Sequence, residues 1–282
     1  MKKNFKHIFY LLIFIFCIAA CAPLDPDRTQ QGPLQTDKNL VNVEDKDLSA
    51  NYYYLESRFH LKNNDYDKAV SSLEKALAMD PESFVITWDL VGLYLRNQDT
   101  EKALAAAEKL VRINPENADG LMLLIELKKD TIEEKELLEK LNKVLSLDPG
   151  NKEAFLRLGK LYLEKENYAK AKELFEKMTE QFPDYYVAIY YLGEIYMNQK
   201  DYDLAKTQFL RTIELEPDLV ESRFQLIDIL NIESPTKNNQ AILDYYNEIL
   251  DIDPESEQAK IGMALHYYKN KMVTEAREIF VR

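Results

Sequence analysis

The chain has 282 residues, with 36 Lys and Arg against 49 Asp and Glu, and a formal net charge of −13. So acidic a surface repels phosphate backbones and anionic head groups, which excludes nucleic acid as a partner. Its 7 Gly form neither a GxGxxG nor a GxxxxGK[ST] run, and its 3 His and 2 Cys lie at no metal-ligand spacing, so neither cofactor, metal nor catalysis is expected.

The chain begins with Lys2, Lys3 and Lys6, followed by an apolar run from Ile8 to Ala20. That run is shorter than the ~20 residues of a membrane span but has the length of a secretory signal core. It ends in Ile18-Ala19-Ala20-Cys21. A basic head, a short apolar core and small residues before a cysteine resemble a bacterial lipoprotein signal. The resemblance implies a signal peptide over 1–21, lipidation of Cys21 and a cell-envelope protein held by its acyl chains. Two or more chains anchor stably, where one does not. With Ala22 and not Asp after the cysteine, it implies the outer membrane, facing the periplasm, in a Gram-negative cell. Loss of the three signal lysines leaves 33 basic and 49 acidic residues, or −16, and loss of Cys17 leaves no thiol but the acylated one. Residues 22–47 contain Pro23, Pro26, Gly32 and Pro33 with few large apolar residues, and read as a flexible acidic tether. A flexible chain of that length spans about 25–30 Å.

From residue 48 a period takes over. Pro81, Pro115, Pro149, Pro183, Pro217 and Pro254 follow one another at 34, 34, 34, 34 and 37 residues. A proline ends a helix because it lacks an N–H and clashes with a preceding carbonyl. The fourth unit reads Phe155, Leu158, Gly159, Tyr162, Ala171, Phe175, Pro183, and the fifth Ile189, Leu192, Gly193, Tyr196, Ala205, Phe209, Pro217. Apart from its leading Trp, this is similar to the tetratricopeptide pattern W-x2-L-G-x2-Y…A-x3-F…P. The resemblance spans residues 48–282 as about seven units, the last incomplete. It implies an all-α, right-handed superhelical solenoid of helix pairs A and B. Small residues on A (Ser57, Gly159, Gly193) and on B (Ala69, Ala103, Ala171, Ala205, Ala276) are expected to let neighbouring helices approach. No unit buries its apolar face alone, so units must stack.

The third unit departs from the pattern, with Ile125 and Leu137 at the small positions and Lys128 in place of Tyr. The larger pair predicts helices pushed apart, read either as a hinge over 118–149 or as ordinary repacking. Thr131-Ile132-Glu133-Glu134 predicts a capping box. The sixth unit has three extra residues in its A–B turn, around Asn231–Gln240 with Pro235, and reads as a longer turn. The seventh stops at Arg282, with Ile279 and Phe280 expected to be partly bare. It reads as a fragment of a longer array or as an end that docks on a partner.

In this family helix A lines the concave face where ligands lie. Its fifth position reads Tyr54, Trp88, Met122, Leu156, Tyr190, Phe224 and Ile261, all apolar or aromatic. One turn on come Arg58, Gly92, Glu126, Lys160, Glu194, Asp228 and Leu265, mostly charged and of mixed sign. The stripe reads as a track for a peptide with a charged, selective rim, or as core against the next unit. Met122, Leu156 and Ile261 are expected in the core. Tyr54, Trp88, Tyr190, Phe224, Arg58, Lys160 and Glu194 are the candidate partner-binding residues, since rigid amphipathic aromatics suit contact surfaces. The Lys/Asn set that clamps C-terminal carboxylates in some relatives is not in register. His60 and His266 read as packing or surface residues.

The resemblance implies a membrane-anchored adaptor for protein or peptide partners. Envelope lipoproteins of this architecture help assemble outer-membrane insertion, pilus or polysaccharide-export machines. The regulatory part of a longer enzyme and a carbohydrate-binding export component are the other readings.

Overall fold

A computed structural model describes residues 49–235 and 237–279. The signal ending at Cys21, the 22–47 tether and Phe280 lie outside the described residues.

Fourteen helices and no strand occur among the described residues, arranged as seven A–B pairs. They are α1 (Ala50–Lys62) with α2 (Tyr66–Met79), α3 (Phe84–Arg96) with α4 (Thr100–Ile113), α5 (Ala118–Leu127) with α6 (Glu134–Leu147), and α7 (Lys152–Glu164) with α8 (Tyr168–Gln181). Then come α9 (Tyr186–Asn198) with α10 (Tyr202–Leu215), α11 (Val220–Glu233) with α12 (Asn239–Ile252), and α13 (Glu257–Lys269) with α14 (Val273–Glu278). Each helix packs chiefly on its neighbours in the chain, and the described residues form an all-α, right-handed superhelical solenoid.

Local sequence sets the boundaries. Asn117 and Asn151 accept backbone N–H bonds at the starts of α5 and α7, and Asp99, Asn167 and Asp201 do so at the starts of α4, α8 and α10. Such caps satisfy N–H groups that have no intrahelical acceptor. Helix A closes differently. In five units its eleventh residue (His60, Tyr94, Tyr162, Tyr196, Tyr267) accepts at 2.8–2.9 Å from the N–H five residues on. The residue just before that donor is left-handed: Asn64, Gln98, Glu166, Lys200 and Lys271 have φ of 55–63°. This is the closure usually given to glycine, here made without one.

The two irregular units are the ones that lack it. In the third, Ile132 holds the left-handed place, and a β-branched side chain tolerates positive φ poorly. α5 therefore stops three residues early, and the N–H groups of Thr131 and Ile132 close on the Lys128 carbonyl at 2.8 and 2.7 Å. The expected capping box does not form: the cap residue of α6 is Glu133, with no side-chain bond, and Thr131 Oγ1 turns back to the Lys128 carbonyl at 3.3 Å. In the sixth, the turn runs over 234–238 and the Asn238 side-chain amide reaches the Leu230 carbonyl at 3.0 Å, standing in for the missing N–H.

Between A and B, volumes trade off. A Cβ on Gly193 would lie 2.6 Å from the Phe209 ring, and Gly159 stands in the same way under Phe175. In the third unit Ile125 and Leu141 share the contact, both buried, in one cluster with Leu121, Val144, Ala154 and Leu158. Leu137 packs half-buried on its edge, so the larger pair is repacked into a core continuous with the fourth unit. Ile279 packs against the last cluster, with Ile242, Ile249 and Met263. Arg223 is buried, bonding Glu248 at 2.8 Å and the Pro217 carbonyl at 2.7 Å, which ties α11 to α12 and to the loop before it.

Candidate functional site: the helix-A face

The fifth residues of the A helices form a graded stripe. Trp88 is 37% exposed and stacks on Phe84, one turn earlier, with ring centres 5.8 Å apart. Tyr54, Met122, Leu156, Tyr190 and Phe224 are half-buried. Tyr190 has two roles: its ring packs edge-on against Phe209 at 5.6 Å, and its hydroxyl donates to Glu194 Oε1 at 3.2 Å. Phe224 packs against the cluster of Ile227, Leu230 and Ile242. Ile261, expected in the core, is 49% exposed, and Leu265 one turn on is 53% exposed. No later helix A among the described residues covers them.

The ninth residues are only partly a rim. Three of them, Arg58, Glu126 and Lys160, form rungs to the sixth residue of the next helix A, 31 positions along the chain. Arg58 Nη1 on α1 lies 3.7 Å from Asp89 Oδ2 on α3. Glu126 on α5 takes a hydrogen bond from Arg157 on α7, whose Nε also bonds Glu153 at 2.6 Å. Lys160 Nζ on α7 sits 5.5 Å from the centre of the Tyr191 ring on α9, a cation–π contact. Beyond α9 the rungs fail. At the corresponding sixth positions of the next A helices stand Gln225 and Gly262, neither of which can carry positive charge, and neither Glu194 nor Asp228 makes an ion pair among the described residues.

The carboxyls record this difference. Burial works to raise Glu126, but hydrogen bonds from Arg157 and Lys129 outweigh it and hold the group below its ordinary value. Glu194 is pushed up by burial, against the Tyr190 hydrogen bond and the Lys160 charge. Asp228 is raised by burial, with no group acting against it. Asp89 is also raised by burial, opposed by Tyr54 and Arg58. The phenol of Tyr190 is pushed well above its usual range by burial and by Glu194.

The candidate residues thus fall into two groups within one face. Tyr54 and Arg58 meet at Asp89, and Lys160, Tyr190 and Glu194 meet beside Tyr191. Trp88 and Phe224 stand apart from both. The sixth-position residues Asp89, Arg157, Tyr191 and Gln225 went unseen in the sequence. Their one signal was opposite charge 31 positions after Arg58 and Glu126.

His266 is buried, bonded to Asn239 at 2.7 Å, and held below its ordinary value by burial, so it serves packing. Among the described residues no three His, Cys, Asp or Glu are grouped to hold a metal, and no helix is long and apolar enough to cross a membrane.

A stack of helix pairs closed by prolines, with aromatics on helix A and small residues at the A–B contact, defines a helical-repeat scaffold. The tetratricopeptide repeat family model matches residues 60–127, 136–184 and 162–226, more than half of the chain, and the chain belongs to that family. No curated protein matches it by sequence. Solved structures share the fold. The C-terminal part of a tetratricopeptide-containing protein from Cytophaga hutchinsonii is 16% identical, at TM-score 0.58, over 75% of this chain and 86% of that one. PilW, a type IV pilus biogenesis factor, is 18% identical, at TM-score 0.51, over 75% and 96%. YrrB, a tetratricopeptide protein with a peptide-binding site, is 21% identical, at TM-score 0.50, over 62% and 90%.

Proposed function

We propose that this chain is a non-catalytic scaffold that holds protein or peptide partners on its helix-A face. In this reading it is lipid-anchored through Cys21 in a bacterial envelope, at the outer membrane facing the periplasm if the cell is Gram-negative. There it serves the assembly of an envelope complex for outer-membrane protein insertion, pilus formation or polysaccharide export. The observation that carries the docking surface is the row of apolar and aromatic side chains at the fifth position of every helix A, with Trp88 exposed and Tyr54, Tyr190 and Phe224 half-buried along it. Rigid or apolar side chains left in water along a groove are what a bound peptide covers. The peptide-binding site of YrrB and the pilus role of PilW agree with it. The order of basic head, apolar core and Ala19-Ala20-Cys21 supports the anchor.

Crosslinking in intact membranes, followed by identification of the captured protein, tests the scaffold. Trp88→Ser with Leu265→Ser should remove the captured partner while melting stays near wild type, since both side chains are exposed. A partner retained by this variant would sink the reading. Cys21→Ser should abolish palmitate labelling and release the protein from the membrane fraction.

A further inference from the structure

We propose that the helix-A face from α9 to α13 takes a basic segment, a peptide in which lysine or arginine alternates with apolar residues. This rests on the reading of the helix-A face as the docking surface and names the chemistry of its occupant.

The broken rungs carry the inference. At the ninth position of helix A, Glu126 has its cation from within the chain, the Arg157 guanidinium on the next helix A. Glu194 and Asp228 hold the same position in later units, with Gln225 and Gly262 at the sixth positions of the next A helices. Lys160 acts on Glu194 by its charge without an ion pair, and no ion pair or hydrogen bond reaches Asp228 among the described residues. Glu221, exposed at the second position of α11, adds a third negative charge near Tyr190. The half-buried Glu194 is offset only in part by Tyr190 and Lys160, and the exposed Asp228 has no cation within the chain among the described residues. An occupant carrying a cation one unit-spacing after another would supply to Glu194 and Asp228 what Arg157 supplies to Glu126.

The surroundings suit that ligand. Tyr190 and Phe224 stand one turn before the two carboxylates and offer aromatic faces to a cation. Ile261 and Leu265, both exposed, receive the apolar side chains between the charges. The first four units differ, since there Asp89 and Glu126 already face Arg58 and Arg157. The preference for cations therefore lies in the last three units, while the acidic surface as a whole speeds encounter.

The test is binding of three labelled peptides to the full chain by fluorescence anisotropy: leucine alternating with lysine, with glutamine and with glutamate. The lysine peptide should bind best and the glutamate peptide worst. Glu194→Gln with Asp228→Asn should weaken the lysine peptide about tenfold, the scale of losing a desolvated charge pair. Glu173→Gln with Glu180→Gln, which removes two exposed charges from α8, should leave binding unchanged. Equal weakening by both pairs means general attraction to an acidic surface and overturns the inference. If glutamine or glutamate peptides bind as well as lysine, and Trp88→Ser with Leu265→Ser abolishes binding, the charge preference is wrong and the docking face stands. If none of the three binds, the inference fails, and the docking face is then judged by the crosslinking experiment alone.

Discussion

Glu126 and Glu194 occupy the same position in units two apart, yet their carboxyls move in opposite directions. Glu126 sits below its ordinary value and Glu194 above it, and both are half-buried. Glu126 takes hydrogen bonds from two cations, Arg157 on the next helix A and Lys129 just past its own helix, whereas Glu194 has the Tyr190 hydroxyl and the Lys160 charge without an ion pair. A repeat keeps its backbone and changes its electrostatics through a few side chains. The same face is therefore internally neutralised at one end and open to an external cation at the other.

The largest way to break this comparison is to remove Arg157. Arg157→Ala should cost about 1–2 kcal/mol, because it leaves the half-buried Glu126 carboxylate with the exposed Lys129 as its one cation. Glu126 should then titrate higher than in the wild type, by NMR. Adding Glu126→Gln should recover part of the lost stability; no recovery would mean that Arg157 acts through packing alone.

A comparable effect separates units by packing. Gly193→Ala should destabilise by about 1–3 kcal/mol, as its methyl would meet the Phe209 ring at 2.6 Å. Gly92→Ala should stabilise by about 0.5–1 kcal/mol, since nothing lies within 4 Å of its added methyl and alanine favours the helix. Chemical denaturation of the two variants reads both signs, and a loss at Gly92 would contradict the open space there.

Gln225→Arg rebuilds the missing rung. It should add about 0.5–1 kcal/mol, in the range of a partly exposed ion pair, and bring Glu194 down below its ordinary value. The lysine peptide should bind this variant more weakly.

The smallest effect is the pH dependence of Glu194. A carboxyl raised on folding binds protons more tightly in the folded chain. Its contribution is fully present below its unfolded value and is lost as pH rises through its folded one. Glu194→Gln should therefore exceed wild type by about 0.5 kcal/mol at neutral pH, and the gain should vanish below the ordinary carboxylate range of about 4. Melting curves across that range decide the sign. A variant more stable yet poorer at binding a basic peptide would mark Glu194 as held for function.

Much of the fold was legible without coordinates, for local reasons. A proline stops a helix wherever it falls, so six of them at near-constant spacing declare the register. Gly159 and Gly193 opposite Phe175 and Phe209 declare which helix faces touch. From that register the fifth and ninth rows followed, and with them the candidate face. Ile132 was also readable in principle, as a β-branched residue where the other turns need positive φ. The other turns were not, because Asn64, Gln98, Glu166 and Lys200 show no glycine to mark them.

Only stacking decided the rest. Each helix A is offset on the one before, so its sixth residue meets the previous ninth, and a 34-residue period states no such offset. That geometry joined Arg58 to Asp89 and Glu126 to Arg157, and it drew Tyr190 partly into the core beside Phe209. It also left Ile261 exposed, because burial depends on which described helices pack over a side chain and not on how apolar it is. The sequence by itself determined the repeat, its register and the fifth and ninth rows of helix A. The tertiary structure decided which charges on that face are paired within the chain and which are not, because pairing depends on distances between units that no local pattern encodes.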